Sequence, residues 1–256
     1  NNSSLVQVNT LDNKGVMFSN TGNITYKRTT TPIKRYDYTY WSSPVYPQTL
    51  GAFSPNSGFF YVYNPLIENW SQANTTIPMR RGKGYIIRTP DIAPFNTVTT
   101  NYFTGLFIGV PNTGDVSTPI IGDSEQFNLI GNPYPSAINA DLFLSDTSNV
   151  PVIDATIYLW THNTAITSNQ YTSNDYALYN YSGGVGTGTV AINGTPNNTI
   201  PDGKIASGQS FFLKGLSSGN AVFNNYMRVV GDNDQFFRLD SSNENNQQEL
   251  EKHRYW

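Results

Sequence analysis

Short runs in which apolar and polar residues alternate, or in which β-branched and aromatic residues cluster, recur along this chain between groups of Gly, Pro, Asn and Asp. A period of two puts successive side chains on opposite faces of a strand, and the intervening residues are those that close turns. The pattern predicts strands over 5–8, 24–27, 36–41, 59–63, 85–88 and 101–108. The second half adds 127–130, 156–161, 176–181, 210–214, 221–230 with a break, and 236–239. Helical spacing is scarce. Only 136–144 offers a short helix, with Ser136 as N-cap after Pro135 and Ala137, Ile138, Ala140, Leu142 and Phe143 behind it. The fold class expected is all-β.

The two halves also repeat each other. Trp41-Ser42-Ser43-Pro44-Val45-Tyr46-Pro47 answers to Ile130-Gly131-Asn132-Pro133-Tyr134-Pro135, 89 residues further on. Tyr61-Val62-Tyr63-Asn64 answers to Tyr158-Leu159-Trp160-Thr161 at an offset of 97, and Gly82-Lys83-Gly84-Tyr85-Ile86-Ile87-Arg88 to Gly208-Gln209-Ser210-Phe211-Phe212-Leu213-Lys214 at 126. The growth of the offset from 97 to 126 places 29 extra residues in the second copy, a loop insertion on a repeated scaffold. The organisation expected is N-terminal strands over 1–35, a first β repeat over 36–120, and a second over 121–240 with a long insertion at 161–207. A polar tail and the start of a further strand follow at 241–256. An isolated four-stranded sheet leaves one apolar face uncovered. The copies are therefore expected to form a sandwich-like body, either packed on each other or each as its own small sandwich. A kelch-like propeller fragment is the alternative, since Phe60-Tyr61-Val62-Tyr63-Asn64-Pro65 followed by Trp70 is blade-like. A propeller needs such a unit every ~50 residues, and one stands out here.

Composition narrows the function classes. Charged residues are 13% of 256 and the net charge is -3, so no basic stripe is available to displace counterions from phosphates, and no nucleic-acid partner is expected. Seventeen Tyr, fourteen Phe and four Trp supply apolar faces for pleated surfaces. Cysteine is absent, which removes disulfides, thiolate nucleophiles and Cys-ligated metals. No apolar run approaches the ~20 residues that span a bilayer, so no membrane insertion is expected. Asn1-Asn2-Ser3-Ser4 has neither a basic nor an apolar leader region, so the sequence is read as following a removed signal or as an internal piece.

Candidate chemistry is sparse. His162 and His253 lie far apart without metal-ligand spacing, and Ser207-Gly208-Gln209-Ser210-Phe211 lacks the nucleophile-elbow pattern. A glycosidase would need two carboxylates across one cleft. Glu125, Asp37, Asp154 and Asp175 are the strand-borne candidates, and no spacing singles out a pair. Asp232 and Asp234 flank Asn233 in a turn whose oxygens suit calcium, the one cofactor considered, although the same residues are ordinary turn formers. Gly183 to Gly188 lacks the lysine and following helix of a phosphate loop and is read as a flexible loop. Eight Asn-x-Ser/Thr sequons, at Asn23, Asn69 and Asn193 among others, follow in a bacterial protein from the Asn and Thr content. Aromatic side chains offer the binding reading with a physical basis, because Trp and Tyr faces stack on sugar rings or anchor a protein partner at low entropic cost. Trp70 and Trp160 are the candidate ligand-binding residues, set against the ordinary role of strand aromatics such as Tyr36, Tyr38 and Tyr40 in cores and cross-strand ladders.

Several blocks together carry a family resemblance. They include Tyr36-Asp37-Tyr38-Thr39-Tyr40-Trp41-Ser42-Ser43-Pro44, Gly82-Lys83-Gly84-Tyr85-Ile86-Ile87-Arg88 and Asn128-Leu129-Ile130-Gly131-Asn132-Pro133-Tyr134-Pro135-Ser136. Ile157-Tyr158-Leu159-Trp160-Thr161-His162-Asn163, Gly208-Gln209-Ser210-Phe211-Phe212 and Asn224-Asn225-Tyr226-Met227-Arg228-Val229 belong with them. From about residue 36 to 256 the sequence resembles surface modules of Bacteroidota proteins exported by the type IX secretion system. The resemblance implies a module ahead of a C-terminal sorting domain in an adhesin-like protein, with the secretion machinery as a partner and the cell surface of a Gram-negative bacterium as its location. In that family the sequence runs on beyond the point where His253-Arg254-Tyr255-Trp256 closes this one. The function expected is a noncatalytic binding or scaffolding module that touches a glycan or surface protein. A carbohydrate-active enzyme or its accessory module, and a filament subunit, are the alternatives.

Overall fold

The computed structural model describes residues 3–7, 19–123, 125–161, 175–185 and 200–233. The first copy contains β1 (Ile24–Thr29), β2 (Tyr38–Trp41), β3 (Val45–Tyr46), α1 (Leu50–Phe53), β4 (Phe60–Asn64), β5 (Asn69–Gln72), β6 (Tyr85–Arg88) and β7 (Thr104–Pro111). The second contains β8 (Val116–Ile120), β9 (Phe127–Gly131), β10 (Ala137–Asn139), α2 (Ala140–Leu144), β11 (Ile153–Trp160) and β12 (Tyr176–Asn180). It continues with β13 (Gly183–Val185), β14 (Lys204–Ile205), β15 (Ser210–Gly215), β16 (Gly219–Phe223) and β17 (Arg228–Val229).

Both copies have the same layout. Strand order is β2-β6-β4-β5 in the larger sheet of the first and β9-β15-β11-β12 in that of the second, with β13 added at the β12 edge. All these pairings are antiparallel. The smaller sheet of the first copy is β1-β7-β3. In the second, a 3-10 turn at Asn225–Met227 divides the role of β7 between β16, which pairs with β8, and β17, which pairs with β10. A single-turn helix caps each core. Phe53 of α1 stacks on Phe107 at 4.3 Å, and Phe143 of α2 stacks on Phe223 at 4.6 Å.

Burial patterns explain the layering. β7 and β8 alternate buried and exposed residues, as a sheet with one wet face requires, whereas β6 and β15 are buried almost without interruption, as strands covered on both faces are. One face of each larger sheet closes its own core, around Trp41, Phe53 and Phe107 or around Tyr134, Phe143 and Phe211. The opposite faces meet in a third cluster built on Tyr40, Ile86, Leu129, Trp160 and Phe212. Each copy is thus its own small sandwich, and the two pack back to back.

The junction is reciprocal. Ser42 N–H donates to the Gly208 carbonyl at 2.7 Å, and Gly131 N–H donates to the Gly82 carbonyl at 2.9 Å. Ser42 and Gly131 are equivalent at the offset of 89, Gly82 and Gly208 at 126. Isolated bridges Trp41 to Gln209 and Lys83 to Ile130 show the same exchange, the signature of an approximate two-fold relation. Gly82 (φ 72°) and Gly208 (φ 69°) take the left-handed backbone that turns each carbonyl toward its partner.

Some expectations change. The propeller alternative is overturned, because the β4-β5 hairpin is half of a four-stranded sheet packed face to face with another, with no radial blades among the described residues. The helix expected over 136–144 starts only at Ala140, with Asn139 as N-cap, its side chain accepting from Leu142 N–H at 3.1 Å. Residues 137–139 form β10 instead, held in a ladder between β14 and β17. Tyr36 (φ 78°) lies in a turn before β2, and Leu5 N–H donates to the Pro135 carbonyl at 2.7 Å with no strand over residues 5–7, residue 8 lying outside the described residues. Residues 236–239, the tail from 241 and most of the 161–207 insertion lie outside the described residues.

Candidate functional site

The strands of the larger sheets carry aromatics on both faces. The outward set, which includes Tyr61 and Tyr63 on β4, Tyr158 and Trp160 on β11, and Phe212 on β15, is brought into one layer where the copies meet. Tyr40 sits at its centre. Its ring stacks on Trp160 at 5.4 Å with planes 3° apart, and its hydroxyl shares a 2.8 Å hydrogen bond with that of Tyr176. Edge contacts reach Trp70 at 6.0 Å and Phe212 at 5.9 Å.

At one margin the layer opens into a cleft of about 370 Å³ lined by Tyr63, Trp70, Phe127, Tyr158, Tyr176, Leu178 and Phe212. Tyr63 meets Phe212 edge-on at 4.9 Å and Trp70 at 5.3 Å, and on the opposite wall Phe127 meets Tyr158 at 5.3 Å. The walls come from both copies, so the cleft exists only in the packed pair. Burial raises the pKa of the Tyr176 phenol, with a smaller opposing effect from the Tyr40 hydroxyl. Burial and then the Glu68 charge raise that of Tyr63, and burial with Tyr61 pushes Tyr38 up to about 12. All three stay protonated at neutral pH. At the rim, the Lys214 ammonium lies 5.6 Å from the centre of the Phe127 ring and pairs with Glu125 at 3.2 Å. A flat apolar or sugar ring suits such a slot better than a charged group does.

The two tryptophans singled out from sequence are brought into this one layer but differ in role. Trp70, half-buried on β5, forms a cleft wall. Trp160, 8% exposed, lies inside the layer with its indole N–H donating to the Tyr38 carbonyl at 3.3 Å, and supports the cleft rather than lining it. Asp232 occupies a left-handed turn position (φ 48°), and Asp234 lies outside the described residues. Between them Asn233 turns inward: its amide donates to the Ser3 carbonyl and the Tyr26 hydroxyl, and its oxygen accepts from Ser207 N–H. Among the described residues no cluster of three His, Asp or Glu could hold a metal ion. Asp37 accepts from Lys34 N–H, Asp154 from Ala155 N–H, and Glu125 pairs with Lys214. Asp175 is buried at the start of β12. His162 and His253 lie outside the described residues.

Tyr63, Phe127, Tyr158, Tyr176, Leu178 and Phe212 were not singled out from sequence as cleft residues. Their signal was an unbroken apolar run, as in Phe60-Tyr61-Val62-Tyr63 and Phe211-Phe212-Leu213, which marks a strand covered on both faces.

No helix among the described residues is long and apolar enough to cross a membrane. Compared with curated proteins and with solved structures, the chain has no match. Over residues 1–256 it matches the family described as "Domain of unknown function (DUF8693)", and it belongs to that family.

Proposed function

We propose that this chain is a noncatalytic binding module whose aromatic cleft holds a pyranose ring of a glycan. The single observation that carries the reading is the cleft itself, with the Trp70 indole and the Tyr63 phenol on one copy facing Phe127, Tyr158 and Tyr176 on the other. Carbon-bound hydrogens of a sugar face pack on such rings, and the phenol hydroxyls of Tyr63 and Tyr158 offer hydrogen bonds to its edge. Back-to-back sandwiches give the slot rigid walls, so little ordering cost is left for binding. The resemblance of residues 36–256 to surface modules of Bacteroidota proteins supports the further reading that the module stands at the surface of a Gram-negative bacterium, within an adhesin-like protein exported by type IX secretion.

A glycan array probed with the parent chain, Trp70→Ala and Trp160→Phe tests this. The parent is expected to retain a subset of glycans. Trp70→Ala should lower affinity about tenfold, equal to roughly 1.4 kcal/mol, with a somewhat lower melting temperature but the same single unfolding transition, since its ring packs on Tyr40 and Tyr63, whereas Trp160→Phe should retain most binding. Equal binding by Trp70→Ala and the parent, or no glycan retained by either, would sink the reading.

A further inference from the structure

A second depression adjoins the aromatic cleft. It measures about 560 Å³, and Tyr63 forms a wall of both. Arg80, Arg81 and Lys83 converge on it from the turn before β6, and β8 and β9 close the other side. No carboxylate lines it, and among the described residues none of these three cations is in an ion pair. The Arg81 guanidinium lies over the Tyr46 ring at 4.9 Å, which leaves its N–H edge available. Lys83 is half-buried, and burial first and the Arg80 charge second hold its ammonium below its ordinary pKa. An anion placed between them would relieve that crowding.

The other copy supplies an internal control. There the equivalents are Ala206, Ser207, Gly208 and Gln209, neutral and buried, with Ser207 N–H bound to the Asn233 side chain and Ala206 N–H to the Gln209 side chain. The shared scaffold therefore does not require charge in this turn. A chain with 13% charged residues and a net charge of -3 nevertheless concentrates three cations here.

We propose that this groove is the anion subsite of the glycan site, so that the ligand is an acidic polysaccharide. One pyranose ring stacks in the aromatic cleft while carboxylate or sulfate groups of the adjoining sugar units lie along Arg80, Arg81 and Lys83. The assignment rests on the glycan reading above and names its substrate class. Single-stranded nucleic acid also combines stacking with charge, but the negative net charge and the absence of a longer basic track favour the sugar.

Calorimetric titration of the whole chain with oligogalacturonate and its neutral methyl ester, and with dextran sulfate and dextran, tests this. At 50 mM NaCl at least one acidic probe should bind tenfold or more tightly than its neutral partner, and the carboxylate and sulfate arms identify the group preferred. The advantage should shrink toward unity at 1 M NaCl, where screening acts within about 3 Å. Combined Arg80→Gln, Arg81→Gln and Lys83→Gln should remove the advantage while the chain keeps a single cooperative unfolding transition, since the two arginines are exposed and glutamine keeps a polar group at half-buried Lys83. Acidic and neutral forms binding alike, with the triple variant unaffected, would overturn the subsite and leave the aromatic cleft standing. Acidic binding lost in the triple variant but indifferent to Trp70→Ala would overturn both the joint site and the cleft reading. Tighter binding of oligothymidylate than of any acidic sugar would overturn the assignment as well.

Discussion

At the scale of single residues, buried polar side chains fasten the irregular segments. Asn132 is fully buried, and its amide donates to the carbonyls of Ser136, Ile205 and Ala206 while its oxygen accepts from Tyr134 N–H. One side chain thereby satisfies four backbone groups on two separate stretches of the second copy. Asn132→Ala strands those groups away from water and is expected to cost about 2–3 kcal/mol, read as a lower midpoint in urea unfolding with an unchanged slope. A midpoint within error of the parent would show that water replaces the amide. Arg228 works similarly, with bonds to Ser136, Asn225 and the Leu5 carbonyl and its guanidinium over the Tyr134 ring at 4.8 Å. It ties the amino-terminal segment to the second copy.

At the scale of elements, Asp91 links the segment before β2 to the end of β6 through Arg35 at 3.1 Å and Arg88 at 2.5 Å. Burial alone would raise its pKa, but the hydrogen bonds and charges of Arg88 and Arg35 outweigh this and hold it below the usual carboxylate value. A carboxylate with a depressed folded-state pKa stabilises fully above its unfolded value near 4, and that contribution disappears as pH falls through the folded value. The side chain is 29% exposed, so the effect is about 0.5–1 kcal/mol. Asp91→Asn should flatten the decline in stability below pH 4 by that amount, and identical pH profiles for variant and parent would refute the link. Elements with strong patterns were legible in the sequence. Residues 85–88 form β6 as expected, and 210–214 falls within β15. β5 and β8 were missed: Asn69-Trp70-Ser71-Gln72 is too polar to announce a strand, and Pro119 argues against one. Pro119 is tolerated because, among the described residues, β8 has a strand neighbour on one side only. Of the cleft, Trp70 was readable because a large aromatic after a turn draws attention. Its other walls depend on which face of a doubly covered strand turns toward the second copy, a long-range fact that no local window carries.

At the scale of the whole molecule, the aromatic layer joins two sandwiches that each have their own core. Its breadth, and walls drawn from both copies, make separate melting of the halves unfavourable. Trp41 reports from the first core, and Trp70 and Trp160 report from the layer. Their fluorescence and far-ultraviolet dichroism should therefore trace one coincident unfolding transition. Two resolved transitions would mean that the copies are independent bodies in contact. The reciprocal bonds of Ser42 with Gly208 and of Gly131 with Gly82 carry a consequence for how such a molecule can change over generations. In a pair of separate identical chains, every mutation lands on both sides of the axis, so a feature useful on one flank is imposed on the other. A covalent tether lifts that constraint: one flank can take on arginines while its mirror image closes over with alanine and serine, and neither alteration disturbs the shared spine.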